Sequence, residues 1–125
     1  MTDNPRLIGF AKALDRLEEA LAEPPSPLVR DACIQRFEFS FELGWKAVKE
    51  ALKQRGLDCQ SPKSCLRQAF RQGWIDDEAA GILLLDDRNL TSHTYDETLA
   101  EVIYKRLPRH LSFLQGLKDR LMVAA

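Results

Sequence analysis

An arginine, a histidine and a tyrosine lie within eight residues of one another in this 125-residue chain. They are Arg88, His93 and Tyr95, in the pattern RxxxxHxY. Arginine binds a phosphate through a pair of parallel hydrogen bonds, and histidine exchanges protons near neutral pH. Such residues could cleave a phosphodiester without a metal ion. They are also compatible with a solvated helix end that has no chemistry, so the spacing alone leaves both interpretations open.

Cleavage of RNA without a metal uses the neighbouring 2′-hydroxyl as nucleophile. One group removes its proton, another protonates the leaving 5′-oxygen, and a cation offsets the charge that develops on the phosphate. His93 is the candidate base or acid, and Arg88 is the candidate phosphate ligand. This stretch has one histidine, so two copies meeting across a two-fold axis would supply both proton-transfer groups.

Three further residues of this stretch could bind a ligand or orient the catalytic side chains. Tyr95 could stack on a base or bind a phosphate, or it could be a tyrosine at a helix start whose hydroxyl faces water. Asn89 and Asp87 could orient the imidazole or the guanidinium. Asp87 could equally be a charge at a helix end.

The overall charge does not indicate a nucleic-acid-binding protein, because 18 basic and 19 acidic residues give a net charge of -1. Any contact with RNA must therefore depend on local clusters. The best basic strip is formed by Lys63, Arg67 and Arg71 on a predicted helix, although such strips are more often solvated faces. No apolar run is long enough for a membrane span, and Met1–Pro5 lacks the features of a signal peptide. We expect a cytoplasmic protein without membrane contact.

The histidines and cysteines do not indicate a metal site. Cys33, Cys59 and Cys65 lack CxxC spacing, which argues against both a zinc site and a disulfide framework. Cys33 falls in an apolar helical pattern and is expected to be buried. His110 follows Pro108-Arg109 in no recognisable motif, so we expect it at the surface or at an interface. We expect neither a metal nor another cofactor.

Apolar residues recur every three or four positions through most of the chain, which predicts helices. No window shows the alternation of a strand. We predict an all-α protein, an antiparallel (up-and-down) four-helix bundle with a short extra helix, forming one domain over residues 1–125. Its longest helices are expected near residues 28–56 and 97–121. The breaks and caps between helices are Pro24–Pro27, Gly56, Ser61-Pro62, Gly73, Asp76 or Asp77, and Asp96.

The second predicted helix carries four aromatic residues, Phe37, Phe39, Phe41 and Trp45. Packing in the core is the simplest explanation for each ring. Phe39 lies off the main apolar stripe, however, and one bundle does not easily cover two faces of a helix. A homodimer interface on this helix is the other possibility.

Several segments resemble, in the same order, a branch of the HEPN superfamily of small helical proteins. This branch contains the nucleotidyltransferase substrate-binding, HepT-like proteins. The similarity covers nearly the whole chain. The segments that carry it are Arg36–Lys46, Ser61–Lys63, Ala69-Phe70, Gly73–Asp77 and Asp87–Tyr95.

The resemblance implies a subunit that acts with a minimal nucleotidyltransferase in a toxin–antitoxin-like pair. It implies a metal-independent ribonuclease that uses the RxxxxHxY motif across a dimer, with RNA or a nucleotide as ligand. Similarity to HepT-type toxins further implies that the hydroxyl of Tyr95 accepts a nucleotidyl group from the partner. The alternative is a non-catalytic subunit that presents a substrate to the nucleotidyltransferase. A third hypothesis is a helical interaction module whose motif residues hold a dimer together.

Overall fold

The computed structural model describes residues 4–124, so Ala125 and Met1–Asp3, the start of the segment assessed for a signal peptide, lie outside it. Across this range the chain forms helices and no strand, which confirms the all-α prediction. None of these helices is both long enough and apolar enough to cross a membrane. The elements are α1 (Pro5–Leu21), α2 (Pro27–Lys53), α3 (Pro62–Arg71), α4 (Glu78–Leu90), a 3₁₀ helix (Thr91–His93) and α5 (Glu97–Ala124).

Polar caps start the helices where the sequence predicts them. Ser26 and Ser61 accept hydrogen bonds from backbone N–H groups of α2 and α3, and proline follows each of them. Asp77 caps α4 in the same way. Asp96 accepts from the first turn of α5, as predicted. Each cap satisfies N–H groups that have no partner inside the helix.

The three longest helices, α1, α2 and α5, pack on one another around the core. The largest buried side chains in it include Phe10, Phe37 and Phe41. A Cβ at Gly44 would lie 3.0 Å from the ring of Phe10, so the missing side chain lets α1 and α2 approach closely. The shorter α3 and α4 pack on each other; α3 also contacts α2, and α4 contacts both α2 and α5. The bundle thus carries α3 and α4 on a three-helix core.

The aromatic residues of α2 divide between the core and its edges. Phe37 and Phe41 are buried, while Phe39 and Trp45 are half-buried. The guanidinium of Arg16 covers the Phe39 ring at 5.6 Å. Core packing therefore accounts for two of the rings, and the other two retain exposed edges.

The connection between α2 and α3 corrects one expectation. Cys59 and Cys65 form a disulfide with their Cα atoms 5.0 Å apart. The chain turns back at Ser61 to begin α3, and this turn brings the two thiols together although they lack CxxC spacing. Cys33 is a buried free thiol, as predicted.

Candidate functional site

The RxxxxHxY motif spans the junction between α4 and α5. Arg88 lies in the last turn of α4, His93 ends the 3₁₀ helix, and Tyr95 lies just before α5. Two threonine hydroxyls stabilise this junction: Thr91 donates to the carbonyl of Arg88 at 2.6 Å, and Thr94 donates to that of Thr91 at 3.0 Å. The junction is thus a continuous set of turns with bonded backbone groups.

His93 and Tyr95 form a direct pair at the surface. The His93 Nδ1 lies 3.2 Å from the Tyr95 hydroxyl, and the two rings meet edge to face with centroids 5.8 Å apart. The hydroxyl donates when Nδ1 is unprotonated and accepts when Nδ1 carries a proton. Both residues are exposed, Tyr95 to 83%. An imidazole and a phenol are therefore accessible side by side.

Arg88 is half-buried and points toward α2. Its Cζ lies 5.8 Å from the centroid of the Phe41 ring, and its Nη2 lies 3.6 Å from a carboxylate oxygen of Glu42. Its Nε is buried without a hydrogen-bond partner in the part of the chain that is described. A partly exposed ion pair contributes about 0–1 kcal/mol. A phosphate could therefore replace Glu42 at Arg88 at little cost.

Two carboxylates of α2 define the electrostatics around this arginine. Burial raises the pKa of Glu38, and the positive charge of Arg88 opposes that effect. Burial also raises the pKa of Glu42, but hydrogen bonds from Trp45 and Lys46, with the charges of Lys46 and Arg88, outweigh it and leave the pKa lowered. Glu42 is thus an ionised carboxylate in contact with the arginine at neutral pH.

Asp87 does not orient the motif side chains. Its Oδ1 accepts from Arg106 at 2.8 Å and its Oδ2 accepts from His110 at 2.7 Å, both residues of α5. Asp87 shares the inward face of α4 with Leu84, three residues earlier, and is only 1% exposed. Both oxygens therefore bind α5, and burial removes them from direct contact with a ligand.

His110 is buried, which corrects the expectation that it lies at the surface or at an interface. Its ring stacks on Phe37 with centroids 5.3 Å apart. A signal was present in the sequence, because His110 is three residues after Leu107 and four before Leu114 on the apolar stripe of α5. Sequence reasoning missed it by treating histidine as a polar residue.

Burial lowers the pKa of His110, and the positive charges of Arg106 and Arg109 act in the same direction. The hydrogen bond and charge of Asp87 oppose this effect without reversing it. The lowered pKa favours the neutral imidazole, and its Nε2–H is the donor to the Asp87 carboxylate.

Asn89, the remaining candidate of the motif, is exposed and lines a cavity between α3 and α4. Its backbone carbonyl accepts from the hydroxyl of Ser92 at 3.3 Å. The structure thus brings His93 and Tyr95 into contact, directs Arg88 toward α2, and separates Asn89 and Asp87 onto different faces of α4.

Residues 5–123 match the family described as nucleotidyltransferase substrate binding protein like, and the chain belongs to this family. The resemblance inferred from the sequence is thereby confirmed.

Known relatives agree with this assignment. The chain is 38% identical over 93 residues to a Haemophilus influenzae protein named probable ribonuclease HepT; the match covers 70% of this chain and 64% of that protein, less than two thirds of its length. A crystal structure from Thermus thermophilus is 43% identical with a TM-score of 0.84, covering 90% of this chain and 98% of the other. A Haemophilus influenzae structure, described as showing the fold of a substrate binding domain of a nucleotidyltransferase, is 28% identical with a TM-score of 0.80, covering 93% and 98%.

Proposed function

We propose that this protein is the metal-independent ribonuclease subunit of a two-component HEPN/minimal-nucleotidyltransferase system of the toxin–antitoxin type. The observation that carries the proposal is the exposed, directly contacting His93–Tyr95 pair, with the half-exposed Arg88 in the last turn of the preceding helix α4. The similarity to a protein named probable ribonuclease HepT supports it.

The chemistry proceeds by attack of the 2′-oxygen on the adjacent phosphorus. His93 takes the proton of the 2′-hydroxyl or gives a proton to the 5′-oxygen as the P–O5′ bond breaks. Arg88 leaves Glu42 and binds the non-bridging oxygens, where negative charge develops. The products are a 2′,3′-cyclic phosphate and a free 5′-hydroxyl.

The active unit is a homodimer in which two copies of the motif face each other. One His93 cannot act as base and acid in the same step, so the second imidazole comes from the other copy. Arg88 contacts Glu42, and Glu42 also accepts a hydrogen bond from Trp45 at 3.1 Å. Trp45 and Arg88 therefore adjoin the same carboxylate, which suits an interface that includes both residues.

Tyr95 is the residue through which a partner enzyme regulates this site. Its exposed hydroxyl can attack the α-phosphorus of a nucleoside triphosphate held by the partner nucleotidyltransferase, with pyrophosphate as leaving group. The attached nucleotide would place bulk and negative charge beside His93 and compete for Arg88. Modification of Tyr95 would thus inhibit the nuclease.

The second candidate function is a non-catalytic subunit that presents a substrate to the nucleotidyltransferase. The description of the Haemophilus influenzae structure as a substrate binding domain favours it, as does the cavity between α3 and α4.

Incubation of the purified protein with single-stranded RNA in EDTA tests the proposal. We expect cleavage that leaves 2′,3′-cyclic phosphate or 3′-phosphate ends, because the 2′-oxygen is the nucleophile. Intact RNA, together with tight binding to a co-expressed minimal nucleotidyltransferase, would instead support the substrate-presenting subunit.

A further inference from the structure

A cavity of about 270 Å³ opens between α3 and α4, on a face of α4 that the proposed chemistry does not use. Small-molecule sites usually measure about 300–1,000 Å³. This one is therefore the size for a single nucleotide or a smaller group. Asn89 lines it, and this residue follows Arg88 in sequence in the last turn of α4. The cavity thus reaches the helix turn that also carries Arg88.

The cavity between α3 and α4 is an open groove, and its apolar lining includes residues that remain exposed. Phe70 is 39% exposed and lines the groove. Ile82, on the opposite side, is 52% exposed. Leu66, Ile75 and Leu85 add to the apolar surface. An accessible phenyl ring among aliphatic side chains offers a stacking surface for a planar group.

The two rims of the groove carry opposite charges. Lys63 and Arg67 lie one turn apart on α3, and Asp86 and Asn89 lie one turn apart on α4. Within residues 4–124 none of these four side chains has a hydrogen-bond or ion-pair partner. Glu78 adds a second carboxylate on the α4 side. The groove therefore presents unpaired cations facing unpaired acceptors across an apolar floor.

We propose that this groove binds one nucleotide of the RNA substrate, next to the phosphate that is cleaved; the inference rests on the proposed ribonuclease function. Lys63 and Arg67 bind its phosphate, and the base stacks on Phe70. Asp86 accepts a hydrogen bond from an exocyclic amino group, as carboxylates do from the N4 amino group of cytosine.

The balanced charge of the rims selects this ligand. A uniformly anionic ligand would be attracted by the cations of the α3 rim and repelled by the carboxylates of α4. A nucleotide whose base carries an amino group satisfies both rims at once. Uracil offers no exocyclic amino group to Asp86. The groove thus gives the nuclease a preference for cytidine, adenosine or guanosine over uridine beside the cleavage site.

Fluorescence anisotropy with a labelled, fully 2′-O-methylated oligocytidine tests the site, because this probe cannot be cleaved. Arg67→Glu should weaken binding about tenfold or more, since it replaces a phosphate ligand with a repelling charge. Arg71→Glu makes the same charge change on α3 outside the groove and should stay within about twofold of the wild type. Equal effects of the two substitutions would overturn the proposal.

Two further comparisons sharpen the test. Ile82→Trp should fill the groove and weaken binding, whereas Ile8→Trp, on the exposed face of α1, should not. The wild type should bind oligocytidine more tightly than oligouridine, and Asp86→Ala should remove that preference. A groove-filling tryptophan without effect, or a uridine preference, would contradict the assignment.

The binding experiments test the groove independently of the ribonuclease proposal. Cleavage of unmodified RNA by the wild type, with binding that ignores Arg67→Glu, would refute the groove and leave the nuclease intact. Binding that depends on Arg67 in a protein that cleaves nothing would support the groove as a nucleotide site and refute the nuclease.

Discussion

His110 donates a 2.7 Å hydrogen bond from Nε2 to Oδ2 of Asp87, and each residue is 1% exposed. The bond joins the last turn of α4 to the middle of α5. Asp87 immediately precedes Arg88, so this buried contact fixes the helix turn from which the motif begins. The same imidazole stacks on Phe37, which links the contact to α2.

Loss of this imidazole should destabilise the fold. His110→Ala removes one partner of a buried carboxylate and the contact with Phe37, while Arg106 continues to bind Asp87. We expect a loss of about 2–4 kcal/mol in the free energy of unfolding, measured by urea denaturation. The exposed His93→Ala change should stay within about 0.5 kcal/mol of the wild type. Equal stabilities of the two variants would show that the buried contact contributes nothing.

The same residue should make stability depend on pH. Burial lowers the pKa of His110 in the folded state below its unfolded value of about 6.5. The unfolded chain therefore binds a proton that the folded chain excludes. The contribution of His110 to the free energy of unfolding is therefore fully present above the unfolded pKa. It is lost as the pH falls from the unfolded pKa through the folded one.

His110→Gln keeps a donor and removes the titration. The decline in unfolding free energy between about pH 7 and pH 5 should be shallower in this variant than in the wild type. His93→Gln is the matched control and should keep the wild-type slope. Parallel curves for the wild type and His110→Gln would contradict the prediction.

Tyr95 should be the acceptor of any nucleotidyl group. Co-expression with a minimal nucleotidyltransferase should yield protein whose mass increases by nucleotide units, as measured by intact-mass spectrometry. Tyr95→Phe should abolish the increase and leave RNA cleavage largely unchanged. Tyr104→Phe should still be modified, because that tyrosine is half-buried on α5. A mass increase that persists in Tyr95→Phe would move the modification to another residue.

The two copies of the motif should meet in a homodimer. Light scattering should report twice the chain mass at micromolar concentration. His93→Cys should crosslink across the dimer with a short bismaleimide, whereas Asp15→Cys, exposed on α1, should not. A monomer, or efficient crosslinking through Asp15→Cys alone, would contradict the facing arrangement.

The sequence predicted the helices and most of their ends because caps act locally. Ser61 and Asp96 accept hydrogen bonds from N–H groups within three residues, so their roles depend on few neighbours. The Arg88–Tyr95 motif could likewise be recognised from the sequence, because its residues lie within eight positions of one another.

Contacts between distant residues were less visible. Asp87 and His110 are 23 positions apart, and nothing local showed that they are buried together. The Cys59–Cys65 bridge depends on the turn into α3, and the exposed ring of Phe70 on how α3 packs against α4. These features follow from tertiary packing, which a local pattern does not specify.

The rate of metal-free RNA cleavage by His93→Ala tests the central claim most directly. The loss of proton transfer should lower the rate by about 100-fold or more, while circular dichroism and binding of the 2′-O-methylated oligonucleotide remain as in the wild type. Arg88→Ala should lose a similar factor, and Arg71→Ala should cleave at the wild-type rate. Wild-type cleavage by His93→Ala would contradict the account, because no other imidazole is exposed within residues 4–124.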